Sequence, residues 1–439
     1  MFILRDNRKP YDKCTLYESM LGGFLNMKGN VIIGQSGGPT AVINSSLAGI
    51  VKAARVNGAE KIYGMHHGIE GFLKEDIIDI GDYIVEDSDL ALLKRTPSAF
   101  LGSCRYKLPE INGHEDVYEK MFEIMEKYNI EYFFYIGGND SMDTIKALSD
   151  YALAHDKTQR FVGVPKTIDN DLPITDHTPG YGSAAKFIAT MMKEVIRDNE
   201  SFGASKPTIC VVEIMGRHAG WLTAAAALSK GDDCSGPDLI YLPEIPFDMD
   251  DFLARVKVLA ETKSSVVIAV SEGIALADGR FVCELGGGAD YVDAFGHKQL
   301  SGCATVLTQR IADVTGCKTR AIEFSTLQRC STHMASRTDI DEAYNCGYSA
   351  FKAAQRGDTG VMVVMRVPDR EVYTVSYETF DIHEIANVEK KIPREWITKD
   401  GTYVNERYLK YAGPLILGAL TPYFSRGLPK HLTLKNKKR

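Results

Sequence analysis

Apolar residues recur along this chain in two alternating rhythms. Short runs rich in β-branched and aromatic side chains, Asn30-Val31-Ile32-Ile33-Gly34, Tyr132-Phe133-Phe134-Tyr135-Ile136 and Phe161-Val162-Gly163-Val164, predict strands. Apolar residues at Ile43, Leu47, Ile50, Val51 and Ala54, and again at Val117, Met121, Ile124, Met125 and Tyr128, keep the spacing of one buried helical face. Further strands are expected over residues 209–214, 238–242, 265–270 and 361–366. Strands alternating with amphipathic helices predict parallel βαβ units and an α/β fold. At 439 residues there is room for two domains of about 150–200 residues each.

The ends of these strands carry the polar chemistry. Ser36-Gly37-Gly38 follows the first, Gly137-Gly138-Asn139-Asp140-Ser141 the second, and Pro165-Lys166-Thr167-Ile168-Asp169-Asn170-Asp171 the third. Met215-Gly216-Arg217, Pro243-Glu244 and Ser271-Glu272-Gly273 follow later strands. In open α/β sheets ligands bind beyond the carboxyl ends of the strands, so this placement is informative. Glycines let phosphate approach the backbone, lysine supplies positive charge, and aspartates hold a divalent cation or remove a proton. That inventory points to phosphoryl transfer. Taken singly the signals differ: Gly37-Gly38 equally suits a tight structural turn, whereas Thr167-Ile168-Asp169-Asn170-Asp171 is the stronger signal, with an Asx-rich turn capping a helix as its alternative. Arg105, Arg217, Arg320 and Arg329 have the forked shape that grips phosphate, but spacing alone does not bring them together.

Composition narrows the classes. A net charge of −7 and a pI near 5.9 argue against a nucleic-acid or anionic-membrane surface. No apolar run approaches the roughly 20 residues of a membrane helix. Nine scattered cysteines without a CxxC pair argue against a zinc site and fit a reducing, cytoplasmic setting. Residues 1–26 carry charges and polar groups throughout and are expected to be a poorly packed extension. Residues 285–301 are expected to form a surface loop, and the basic tail from Pro429 a solvated end.

In this order, the SGG loop, Phe100-Leu101-Gly102-Ser103-Cys104-Arg105, the Gly137–Ser141 loop, the Thr167–Asp171 element, Met215-Gly216-Arg217, Ser271-Glu272-Gly273 and the late Gln328-Arg329 resemble the phosphofructokinase family over about residues 30–360. The resemblance implies two Rossmann-like domains with the active site in the cleft between them. It suggests a donor domain of residues 27–185 plus about 330–400, and a sugar-phosphate domain of 186–329 plus about 401–439. It also implies transfer of phosphate to the 1-hydroxyl of fructose 6-phosphate, with Mg²⁺.

The donor turns on two positions. ATP-dependent members of the family carry glycine where this chain has Asp140, and glycine where it has Lys166. Both substitutions are similar to the pyrophosphate-dependent branch. Aspartate opposes a nucleotide's α-phosphate, whereas lysine neutralises pyrophosphate and the transferring group. The resemblance then implies that Gly38, Arg105, Asp140 and Lys166 bind the donor and that Asn139 and Asp140 hold the metal. Asp169 is the expected base, with Lys166, Asp140, Thr167 and Asp171 around it. Thr167, Ile168, Asp169, Met215, Gly216, Arg217, Glu272, Thr326 and Arg329 would bind the sugar phosphate. Arg320 would reach in from a neighbouring subunit, implying a homodimer or homotetramer. An ATP-dependent enzyme and a catalytically silent sugar-phosphate-binding subunit are the alternatives.

Overall fold

The computed structural model describes residues 27–202, 206–286, 300–385, 388–435 and 437. The extension 1–26 and most of the expected loop 285–301 lie outside the described residues. Among the described residues, no helix is long and apolar enough to cross a membrane.

The first layer system begins with β1 (Asn30–Gln35), α1 (Ile43–Val56), β2 (Ile62–Met65) and β3 (Ile77–Asp79). It continues through α2 (Glu115–Lys127), β4 (Ile130–Gly137), α3 (Asn139–Ala154) and β5 (Arg160–Pro165). Helix α4 (Tyr181–Glu200) then carries the chain into a second system: β6 (Thr208–Ile214), β7 (Leu239–Tyr241), α5 (Met249–Thr262), β8 (Ser265–Ser271), α6 (Cys303–Thr315) and β9 (Lys318–Glu323). Helix α7 (Arg337–Arg356) returns to the first, which gains β10 (Val361–Arg366) and β11 (Ser376–Asp381); α8 (Glu406–Ala412) follows.

The strands form a seven-stranded sheet in the order β11-β10-β5-β4-β1-β2-β3 and a four-stranded sheet β7-β8-β6-β9. Within these two sheets only the edges of the larger one, β11 and β3, pair antiparallel; Phe424–Ser425 and Leu428–Pro429 form a separate antiparallel pair. Every residue of β1 is buried, as expected of a strand covered on both faces. Its side chains alternate between two cores: Val31 and Ile33 pack with Phe134 and Ile136, while Ile32 packs with Phe133 and Tyr135. In the smaller sheet Cys210, Val212 and Ile214 share a core with α4 and α8, and Ile209 and Val211 face α5 and α6.

Helices α1 and α7 cross in direct backbone contact. A Cβ on Gly49 would lie 2.0 Å from the Tyr344 carbonyl oxygen, and one on Gly347 2.0 Å from that of Ser46. This crossing ties the returning chain to the first sheet.

The expected strands all form, although the one at 238–242 is shorter. Strands β2, β3, β9 and β11 were not anticipated. They are short or lie at a sheet edge, where exposed charged residues such as Lys318 and Glu323 break the apolar pattern. The C-terminal tail is largely exposed, as expected of a solvated end, except at one residue. Leu432 is buried in the core beside β1, and its N–H donates to Thr96 Oγ1 at 2.9 Å, because that core leaves an apolar face for the tail to cover.

Candidate active site

Parallel pairing decides which loops meet. Gln35 of β1 is level with Ile136 of β4, and Gly137 of β4 with Pro165 of β5, so the three loops that follow emerge side by side. Hydrogen bonds then join them. Ser141 Oγ donates to Ser36 Oγ at 2.9 Å, Lys166 N–H to the Gly137 carbonyl at 3.0 Å, and Ser103 Oγ to the Gly37 carbonyl at 2.6 Å. Gly37 has φ +73°, a conformation that favours glycine, and its own N–H is taken by the Cys104 carbonyl at 3.1 Å. The segment carrying Arg105 is thereby fixed against the SGG loop.

The second sheet repeats the logic. Ile214 of β6 is level with Ser271 of β8, which places Met215-Gly216-Arg217 beside Glu272-Gly273. A Cβ on Gly273 would fall 1.9 Å from the Arg217 carbonyl oxygen, so only glycine lets these loops meet. Ser271 Oγ donates to the Gly216 carbonyl, and Gly216 N–H to Glu272 Oε1 at 3.3 Å.

Between the two sheet edges lies a cavity of about 660 Å³. Arg105, Asp169 and Asp171 line it from the first side, and Met215, Gly216, Arg217, Glu272, Thr326 and Arg329 from the second. Glu213, His218, Ser325 and Glu389, which lie outside the sequence motifs, line it too. His218 directly follows Arg217 and was within reach of the motif. Glu389 arrives on an irregular segment with no periodic signal.

Lys166 lies just behind this wall. It is 2% exposed, and its Nζ donates to the Gly38 carbonyl at 2.7 Å. A Cβ on Gly38 would stand 3.1 Å from an Arg329 guanidinium nitrogen, so the SGG loop and the late arginine abut. Thr167 Oγ1 donates to Asp169 Oδ2 at 3.3 Å and accepts from the Asp169 N–H at 3.1 Å. Ile168 points into the apolar core with α4. Asp140 is exposed in the first turn of α3, beside Asn139 at its start.

Arg320 stands apart from the cavity. It pairs with Asp198 at 3.0 Å and lies over the Phe202 ring, with its guanidinium 4.2 Å from the ring centre. Within one chain the structure does not bring it to the other site residues.

The electrostatics separate these groups. Burial lowers the Lys166 pKa to about 8, with Asp169 opposing the fall and Arg329 adding to it. Burial raises Asp169, against the Thr167 hydroxyl, Lys166 and Arg329. Asp171 rises to about 7 through burial and the neighbouring Asp169. Glu272 also reaches about 7 through burial, held back by the Gly216 N–H. A carboxylate raised from the acidic range and placed in a cleft is suited to general-base work near neutrality.

The oxygen donors at the start of α3 fit a magnesium ion. Asn139 Oδ1 is buried and has no hydrogen-bond partner among the described residues, and a carboxylate follows it at Asp140. No group of three or more His, Cys, Asp or Glu among the described residues could cage a cation. Two hard oxygen donors nevertheless suit Mg²⁺, which keeps waters and takes phosphate oxygens for the rest of its shell.

The phosphofructokinase family model matches residues 30–354. The chain belongs to the phosphofructokinase family. The pyrophosphate--fructose 6-phosphate 1-phosphotransferase of Halomonas elongata is 41% identical over 91% of this chain and 95% of its own length. The Xanthomonas campestris protein of the same name is 40% identical over 93% and 96%. A crystal structure of a pyrophosphate-dependent phosphofructokinase from Nitrosospira multiformis superposes with a TM-score of 0.84 at 37% identity, covering 93% of this chain and 97% of that one. The two sheets, parallel except at the edges of the larger one, and the cleft between them are thus the phosphofructokinase fold, and the chain is an enzyme of that family.

Proposed function

We propose that this phosphofructokinase moves a phosphoryl group reversibly from pyrophosphate to the 1-hydroxyl of fructose 6-phosphate, giving fructose 1,6-bisphosphate and phosphate. The observation that carries the reading is the buried Lys166 ammonium, held on the Gly38 carbonyl beside Asp169. A fixed cation there stabilises charge on a compact inorganic donor, and Asp140 on the adjacent helix start disfavours a nucleotide. The names of the Halomonas and Xanthomonas relatives support the same choice.

In this mechanism Asp169 accepts the 1-hydroxyl proton while the hydroxyl oxygen attacks the near phosphorus. The bridging P–O bond breaks and phosphate leaves. Gly38, Lys166 and Arg105 hold the donor. Thr167 orients Asp169 through the hydroxyl contact, and Asp171, raised to about 7, is about half protonated at pH 7, which reduces repulsion beside the base. Met215, Gly216, Arg217 and Glu272 seat the sugar, and Thr326 to Arg329 its 6-phosphate. Asn139 and Asp140 would hold Mg²⁺, which when bound supplies positive charge to phosphate oxygens.

Arg320 faces outward on the edge strand β9, and we assign it to the sugar site of a second copy in a homo-oligomer. The eight free cysteines among the described residues fit a cytoplasmic enzyme serving glycolysis and gluconeogenesis. A coupled assay with each donor tests the reading. Turnover with pyrophosphate and little with ATP is expected; fast turnover with ATP alone overturns it. Sugar-phosphate binding with no turnover on either donor would make the chain a silent subunit.

A further inference from the structure

Asn170 lies between the two carboxylates of the Asp169-Asn170-Asp171 turn, fully buried, with left-handed backbone at φ +57°. Its Nδ2 donates to the Tyr411 hydroxyl at 2.7 Å, and its Oδ1 accepts from Thr178 N–H at 3.1 Å. The Tyr411 hydroxyl donates in turn to the Asp176 carbonyl at 2.8 Å. With one bond received and one given, that hydroxyl fixes the turn at its middle residue. Tyr411 itself is held on α8 by Arg370, whose guanidinium lies 4.5 Å from its ring centre and bonds its carbonyl at 3.1 Å.

A second tie meets the same turn. Lys390 N–H donates to the Asp171 carbonyl at 2.7 Å, and the Lys390 carbonyl accepts from Trp221 Nε1 at 2.9 Å. The Trp221 and Tyr411 rings pack with centroids 5.2 Å apart, so both ties converge on one aromatic pair. Trp221 opens the short helix that follows Met215-Gly216-Arg217, the loop on the second side of the cleft. The base turn on one sheet and the sugar-side loop on the other therefore share a rigid link that touches neither reacting atom.

We propose that Tyr411 and Trp221 are positioning residues for Asp169, conveying the seating of the sugar phosphate on the second sheet to the carboxylate on the first. The inference rests on the phosphoryl-transfer reading above. A displacement of about 1 Å at a reacting group can cost about 100-fold in rate, so losing one tie has a measurable effect.

The test uses the full chain with pyrophosphate and fructose 6-phosphate. Wild-type protein without turnover on any donor defeats the reaction assigned above, an outcome separate from those that follow. Tyr411→Phe keeps the ring and removes the hydroxyl; kcat should fall about tenfold or more while KM for fructose 6-phosphate stays within about twofold. Asn170→Gly tolerates the positive φ and removes the side chain through which Tyr411 acts. In that background Tyr411→Phe should add almost nothing, since the two residues form one path. Unchanged kcat in Tyr411→Phe, or losses that multiply independently in the double variant, overturns the proposal. A purely structural role lowers the melting temperature and leaves kcat per folded molecule intact, which also overturns it. Should Tyr411→Phe fail to fold, Trp221→Phe, which loses the Nε1–H bond to Lys390, decides by the same split between kcat and KM.

Discussion

Lys166 gives the donor site a quantitative signature in pH. Its side chain is buried and its pKa is lowered from 10.5 to about 8. The charged form is the one that holds a pyrophosphate oxyanion, so donor capture is intact below that value and is lost as pH rises through it. With a pKa near 8, roughly nine-tenths of the free enzyme carries the charge at pH 7 and about one-tenth at pH 9. The kcat/KM for pyrophosphate reports the free enzyme and should therefore fall about tenfold over that interval. Lys390 titrates in the same window: burial lowers it to about 8, and its Nζ donates to the Thr175 and Asp176 carbonyls at 3.2 and 2.9 Å. A variant is needed to assign the limb. Lys166→Arg keeps a charge that does not titrate. Initial rates from pH 6 to 10, with pyrophosphate varied and fructose 6-phosphate saturating, should show the alkaline limb in wild type and not in Lys166→Arg. The donor's own ionisation is common to both and cancels in their ratio. Lys166→Met should cost about 10²–10³-fold in kcat/KM at pH 7, the usual size of one lost electrostatic stabiliser. An alkaline limb unchanged in Lys166→Arg would refute the assignment of this lysine to the donor.

Replacing Asp169 by Asn should cut turnover by about 10²–10⁴-fold with the fold intact by circular dichroism, and near-native turnover would remove it from the base role. Gly273→Ala would drive a methyl into the Arg217 carbonyl and displace the sugar-side loop, so KM for fructose 6-phosphate should rise about tenfold or more while KM for pyrophosphate holds; steady-state kinetics with each substrate varied separates the two. His177 is buried between carboxylates, its ring nitrogens 2.9 Å from Asp176 and 2.7 Å from Glu342. Burial alone would lower its pKa, but Glu342 and Asp176 raise it from 6.5 to about 9. Its contribution to stability, roughly 3 kcal/mol, is complete below about pH 6.5 and lost as pH climbs to about 9. Urea unfolding should show that decline in wild type and a flatter profile in His177→Gln, and parallel profiles would refute the charged-histidine assignment.

What the sequence made legible was local. Strands covered on both faces appear as continuous apolar runs, and β1, β4, β5, β6, β8 and β10 were found for that reason. The loops behind them carry glycine, lysine and aspartate at fixed offsets, so the reaction class could be read from Gly37-Gly38, Lys166 and Asp169 before any fold was known. Edge strands such as β9 escaped the pattern because none of the β9 residues is buried and half of them carry charge. Glu389 escaped because it reaches the cleft on a segment with no period at all.

The chain's order of residues thus determined which chemistry is present and at which strand ends it sits. Only the tertiary structure decided which of those ends face one another. Parallel pairing sets β1, β4 and β5 level, so their loops meet; the return of α7 across α1, in direct backbone contact at Gly49 and Gly347, holds the first sheet together around them. The raised Asp169 and the lowered Lys166 belong to this second level as well. A pKa depends on how much water and which charges surround a group, and those surroundings exist only once distant segments have packed. The same holds for Tyr411, which no sequence motif marks and which becomes, in the folded chain, the partner of Asn170 at the centre of the base turn.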